Sequence, residues 1–150
     1  LVRELYFRVL TGPQGQTLRA ALTLQGRFAQ IRDALRRIHA CHAQPLNLSE
    51  LARDAGMSVP SFHSHFKAIT GMAPMQYVKS TRLHQARLLM VRQGITASAA
   101  SLAVGYESPS QFNREFKRLF GLPPAREAKR LRDSFALPPA HEGAEFVSSH

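Results

Sequence analysis

Hydrophobic residues recur at helical spacing along almost the whole chain. From Phe28 to about Cys41, the apolar positions Phe28, Ile31, Ala34, Leu35 and Ile38 follow intervals of three, three, one and three, with Arg32, Arg36 and Arg37 elsewhere. This is the layout of an amphipathic helix. Upstream, Leu1, Leu5 and Val9 share one face of a short predicted helix, which the stretch Thr11-Gly12-Pro13-Gln14-Gly15 breaks. After Pro45, Asn47 can cap a short helix from Leu48 to Ala55, and Gly56 can take the left-handed conformation of a tight turn. Ser58 caps the next helix, which carries Pro60 in its first turn and Phe62, Phe66 and Ile69 on its inward face. Gly71 stops it. Pro74 then opens a long helix to about Gln93, with Met75, Val78, Leu83, Ala86, Leu89 and Met90 on its apolar side.

Beyond Gly94 the same grammar returns. Thr96 caps a helix from Ala97 to Val104, Gly105 makes a turn, Ser108 caps a further helix with Pro109 at its start, and Phe112, Phe116 and Leu119 face inward. Leu51, Ala52 and Gly56 recur 49 positions later as Ala100, Ser101 and Gly105. One extra residue in the second turn shifts the offset to 50, so Ser58, Phe62, Phe66, Lys67, Gly71 and Pro74 recur as Ser108, Phe112, Phe116, Lys117, Gly121 and Pro124. Two copies are too few for a solenoid. They suit a pair of small helical lobes. A last basic helix runs from about Pro124 to Asp133, and the Pro-, Ala-, Glu- and Ser-rich remainder, residues 133–150, is predicted to be disordered.

The expected fold is all-α: two helix-turn-helix subdomains, at about 47–70 and 96–120, joined by a linker helix at about 74–93. About seven helices are expected, preceded by an N-terminal helical segment. A chain of 150 residues can bury a core without disulfides, and Cys41 stands alone, which fits a reducing cytoplasm. No apolar run approaches the length of a membrane span. The first residue is Leu1, which reads as a fragment of a longer protein.

The formal charge of +10 makes a polyanion the expected partner, because each neutralised phosphate releases condensed counterions. Of the 20 basic side chains 16 are Arg, the residue that pairs bidentately with phosphate and with the guanine edge. In a helix-turn-helix the second helix lays its outward face in the major groove. Those faces offer Ser58, Pro60, Ser61, His63, Ser64 and Lys67 in the first head, and Ser108, Ser110, Gln111, Asn113, Arg114, Lys117 and Arg118 in the second. Arg114 can fork onto guanine O6 and N7, Gln111 and Asn113 carry amides that match adenine, and Lys117 and Arg118 suit phosphate. A linker of 20 or so residues spans roughly 30 Å, close to the roughly 34 Å between successive major grooves on one side of B-DNA. One chain is thus expected to cover an asymmetric site of about two helical turns. The paired phenylalanines fall on one stripe and are expected in the core.

Other chemistries are poorly supplied. His63 and His65 point to different sides of a helix, and His39, Cys41 and His42 lack a partner motif for zinc. No nucleophile motif or phosphate-cradling glycine loop is present, so no enzyme and no cofactor are expected, a metal-dependent enzyme being the remote alternative. A sequence-indifferent architectural DNA-binding protein is the nearer alternative. RNA is disfavoured because exposed stacking aromatics are missing from these faces.

At Ala52, Gly56, Ser58, Phe62, Phe66, Gly71 and Pro74, and then along Val104-Gly105-Tyr106-Glu107-Ser108 through Phe112, Arg114, Phe116, Gly121 and Pro123-Pro124, the chain resembles bacterial AraC/XylS-type transcription regulators. The resemblance covers roughly residues 28–132, and residues 1–27 resemble the exit segment of an N-terminal sensing and dimerising domain. It implies a seven-helix DNA-binding domain that binds double-stranded promoter DNA in the cytoplasm and most often activates through RNA polymerase. It also implies a monomer for the fragment and a dimer for a full-length protein through the N-terminal domain. Ala100 and Ser101 stand where the family carries a larger aliphatic residue and alanine.

Overall fold

A computed structural model describes residues 13–135, and among them there are seven α-helices and no strand. These are α1 (Pro13–Cys41), α2 (Leu48–Asp54), α3 (Val59–Thr70), α4 (Pro74–Gln93), α5 (Ala97–Ala103), α6 (Pro109–Phe120) and α7 (Pro124–Phe135). The predicted helix over Leu1–Leu10 and most of the predicted disordered tail lie outside the described residues.

Four caps form as the sequence dictates. Asn47 Oδ1 accepts from the Ser49 amide at 2.7 Å, Ser58 Oγ from Ser61 at 3.3 Å, Thr96 Oγ1 from Ala99 at 3.1 Å and Ser108 Oγ from Gln111 at 3.2 Å. Each satisfies a first-turn amide that has no partner inside its own helix. The recognition-type helices α3 and α6 both end on a left-handed glycine, Gly71 and Gly121, whose amides return to the carbonyls of Lys67 and Lys117.

The first helix departs from expectation. It starts at Pro13 rather than near Phe28 and runs 29 residues without a break. Proline at the first helical position lacks an amide that would be unpaired there in any case, so Pro13 opens the helix instead of ending one. Gly15 sits in that first turn, and Gly26, mid-helix, costs about 1 kcal/mol relative to alanine, too little to interrupt it. The inward stripe begins only at Ile31 and continues through Ala34 and Ile38, whereas Phe28 is 53% exposed. At the other end α7 runs to Phe135, so the first residues of the predicted tail are helical.

The chain divides into two compact units. Residues 13–41 and Leu46–Val78 make the first, and His42–Pro45 with residues 79–135 make the second. In the first, α3 packs against α1 and α2, and Ile31, Ile38, Leu51, Ala52, Phe62, Phe66 and Val78 are at most 1% exposed. In the second, α6 packs against α5 and α7 around Ala86, Ala100, Val104, Phe112, Phe116 and Ala128. The 20-residue α4 contributes Pro74–Val78 to the first unit and its remainder to the second.

Two inward assignments fail in the same way. Ile69 is 38% exposed and Leu119 is 42% exposed, although both continue the phenylalanine stripe. Each lies two residues before the capping glycine, in the last turn of its helix. Periodicity fixes the direction of a side chain; whether a neighbouring helix reaches that far is a matter of tertiary packing.

Candidate nucleic-acid interface

The turns that present α3 and α6 are closed alike. Gly56 donates its amide to the Arg53 carbonyl at 2.9 Å and Met57 donates to Ala52 at 3.0 Å; Gly105 donates to Leu102 at 3.1 Å and Tyr106 to Ser101 at 3.0 Å. Gly56 and Gly105 hold φ of +69° and +91°, the left-handed region in which a Cβ is strained. Behind α3, the rings of Phe62 and Phe66 lie 5.6 Å apart at 48°, and behind α6 those of Phe112 and Phe116 also lie 5.6 Å apart at 48°. All four phenylalanines are fully buried. With the back of each helix anchored, the opposite face is committed to solvent.

On α3 that face carries Pro60, His63, Ser64 and Lys67, all exposed. Ser61 is half-buried: its hydroxyl lies 3.3 Å from His65 Nδ1, and that nitrogen lies 2.7 Å from the Ser61 carbonyl. A carbonyl only accepts, so Nδ1 carries the proton and His65 is turned back on its own helix. His63 and His65 therefore diverge, and among the described residues no three His, Cys, Asp or Glu side chains gather as a metal would require. Ser58 and Ser108 use their hydroxyls as caps, so they place the helix starts.

On α6 the exposed set is Ser110, Gln111, Asn113, Arg114, Lys117 and Arg118. Asn113, Arg114 and Lys117 line one side of a shallow cavity of about 420 Å³, whose other walls are Ala97, Pro123, Pro124 and Ala125. Three of the predicted readers are thus brought together over an apolar bed.

Two ionic clusters in the second unit were not foreseen. Glu115 accepts from Tyr106 Oη at 2.5 Å and from Gln111 Nε2 at 3.2 Å, with Lys79 Nζ 3.2 Å away. Burial pulls the Glu115 carboxyl upward, but hydrogen bonds from Tyr106, Gln111 and Lys79, with the Lys79 charge, outweigh it and hold it below the usual range. Burial, then the bond to Glu115, pushes the Tyr106 hydroxyl upward. Glu127, 1% exposed, takes a two-pronged pair from Arg130 at 3.1 and 2.7 Å and has Arg87 Nη1 at 3.6 Å. The Arg130 hydrogen bonds, opposed by burial and helped by both arginine charges, hold this carboxyl low as well. Arg87 lies 4.1 Å over the Phe120 ring, whose edge meets His84 at 5.1 Å. Burial first, and the Arg87 charge second, lower the His84 pKa. The spacing of four between Gln111 and Glu115, and of three between Glu127 and Arg130, was a usable signal. The Tyr106 contact spans a turn and gave none.

Twin glycine-turn helix pairs with buried phenylalanine backs and polar fronts define a two-headed helix-turn-helix domain. A helix-turn-helix domain family model matches residues 51–130. The MmsAB operon regulatory protein of Pseudomonas aeruginosa is 32% identical over 112 residues, 75% of this chain and 34% of that protein. Among solved structures, the DNA-binding domain of the global transcriptional factor AdpA, in complex with a target DNA, matches with TM-score 0.63 and 26% identity, covering 69% of this chain and 94% of that one. A Chromobacterium violaceum transcriptional regulator with an AraC-type DNA-binding domain matches with TM-score 0.66 and 25% identity, covering 76% and 98%. The chain belongs to the AraC/XylS family of helix-turn-helix DNA-binding transcription regulators. It spans 34%, 33% and 45% of the lengths of three curated relatives it matches. Among the described residues no helix is long and apolar enough to cross a membrane.

Proposed function

We propose that this chain binds double-stranded promoter DNA in the bacterial cytoplasm by laying α3 and α6 in successive major grooves, as part of a longer regulator that activates transcription through RNA polymerase. The observation that carries the reading is the pair of phenylalanine-backed helices whose solvent faces bear groups able to meet base edges and phosphates. The length of α4, about 30 Å for 20 residues, supports spacing by one helical turn of the duplex. The proposed contacts are Ser58, Pro60, Ser61, His63, Ser64 and Lys67 from the first head and Ser108, Ser110, Gln111, Asn113, Arg114, Lys117 and Arg118 from the second. The fragment acts as a monomer and the longer protein dimerises outside it.

Footprinting on a selected site tests this. Protection of two adjacent major-groove segments is expected, with discrimination of about 10³ or more against a scrambled duplex. Protection of a single segment refutes the two-groove reading, and a steep salt dependence without sequence preference establishes the architectural alternative. Arg114→Ala is expected to lower discrimination by about 1 to 3 kcal/mol and His63→Ala by less, because only the guanidinium can make a two-pronged contact to guanine. Equal losses in a binding-site selection refute that ranking.

A further inference from the structure

Gln111, on the exposed face of α6, is not free to present either end of its amide. Its Nε2 lies 3.2 Å from Glu115 Oε1, one helical turn on. An ionised carboxylate only accepts hydrogen bonds, so the amide must turn its NH₂ toward Glu115 and leave its oxygen, with one remaining N–H, for whatever faces the helix. Glu115 itself is fixed from behind. Tyr106 donates to its other oxygen at 2.5 Å, Lys79 Nζ lies 3.2 Å from Oε1, and the Tyr106 ring stands edge-on to the buried Phe112 at 5.3 Å. The orientation of a surface amide is thereby tied to the core through Phe112, Tyr106 and Glu115. At the matching positions of the first head, Ser61 and His65 also meet, with Ser61 Oγ 3.3 Å from His65 Nδ1.

Resting on the DNA-reading role proposed above, we infer that Glu115, held by Tyr106 and Lys79, is a positioning residue that sets the base preference of Gln111. In the major groove adenine offers an amino donor beside the N7 acceptor, cytosine offers an amino donor, and guanine and thymine offer acceptors. An amide locked with its oxygen outward takes adenine with both of its open groups and cytosine with one. Guanine and thymine can be met only by the one remaining N–H, with the outward oxygen left facing their acceptors unpaired. An unpinned glutamine would rotate and accept any of these edges. The low carboxyl pKa of Glu115 keeps the acceptor ionised at neutral pH, in agreement with the geometry.

The test is a binding-site selection with the 150-residue chain and three variants, Gln111→Ala, Glu115→Gln and Tyr106→Phe. Gln111→Ala identifies the base this side chain reads, as the one position where preference disappears. At that position the unaltered chain is expected to favour adenine over guanine and thymine by about tenfold. Glu115→Gln keeps the side-chain shape but supplies an amide that donates as well as accepts, so the preference there should fall to about threefold or less, with guanine and thymine admitted. Tyr106→Phe keeps the ring against Phe112, loosens Glu115 and should lower the same preference by a smaller factor. Preference at all other bases should hold in both variants, and in Glu115→Gln the lost negative charge raises affinity for every duplex alike. The inference is overturned if adenine preference at that base survives Glu115→Gln, or if all bases lose preference together, as a merely structural role would produce. If Gln111→Ala alters no position while other bases are still selected, the inference fails and the DNA reading stands; if the unaltered chain selects no sequence, both fail.

Discussion

The two heads match from behind and differ in front. Their buried phenylalanine pairs have the same centroid separation and tilt, and their turns close with the same pair of backbone hydrogen bonds. The exposed face of α3 is nearly neutral apart from Lys67, whereas that of α6 carries Arg114, Lys117 and Arg118 with two amides. Core shape is constrained by close packing, where a lost side chain costs several kcal/mol. Exposed positions cost the fold almost nothing to change, so the outward faces can differ while the scaffold stays.

The interiors differ as well. The first lobe fills its centre with Ile31, Ile38, Leu51 and Met57, while the second has Ala100 and Ser101 at the repeat positions and encloses Glu127.

The sharpest break in the comparison is expected at the two turn glycines. A Cβ at Gly105 would stand 2.5 Å from the Ala43 carbonyl oxygen, backbone that cannot swing aside. A Cβ at Gly56 would meet only the end of the Gln30 side chain at 3.6 Å. Both substitutions incur left-handed strain of about 1 to 2 kcal/mol, so Gly56→Ala should cost about that much and Gly105→Ala about 3 kcal/mol or more. Urea denaturation of the two variants measures this, and similar losses would mean that the turns are interchangeable.

Next in size is the buried carboxylate of the second lobe. The folded pKa of Glu127 lies below its ordinary 4.5, so the stability it contributes is fully present above that value and is lost as pH falls through the folded one. Glu127→Gln should destabilise the second unit by about 2 kcal/mol at neutral pH and flatten the loss of stability on acidification. Hydrogen exchange of α6 and α7 amides at pH 7 and near pH 4 reads both effects; an unchanged acid slope would assign that loss to other groups.

The smallest expected effect is a gain. Ser101 Oγ is buried with no hydrogen-bond partner, at the position where the first lobe has Ala52. Replacing an unsatisfied hydroxyl with hydrogen removes a desolvation cost, so Ser101→Ala should stabilise the chain by about 1 kcal/mol. A loss in thermal unfolding would show that the hydroxyl is satisfied in solution.

Much of this arrangement was legible beforehand because its causes are local. Asn47, Ser58, Thr96 and Ser108 cap the helices they precede, and Pro74 begins the helix it was expected to begin. The start of α1 was misread because the same Gly-Pro stretch that ends a helix also begins one, and only the continuing chain decides between them. The burial of Glu127 could not be foreseen, since a glutamate within a basic, strongly polar helix is ordinarily solvated, and one of its two arginine partners, Arg87, comes from α4 rather than from its own helix.

What the sequence determined by itself is the succession of caps, glycine turns and phenylalanine stripes, because hydrogen bonding and side-chain direction within a turn or two depend only on residues a few positions apart. What tertiary structure alone decided is how deeply each stripe is buried, as Phe28, Ile69 and Leu119 show, and which polar groups meet across a turn, as Tyr106 and Glu115 do. Those outcomes depend on where neighbouring helices end and which side chains they bring, and spacing along one helix carries no record of either.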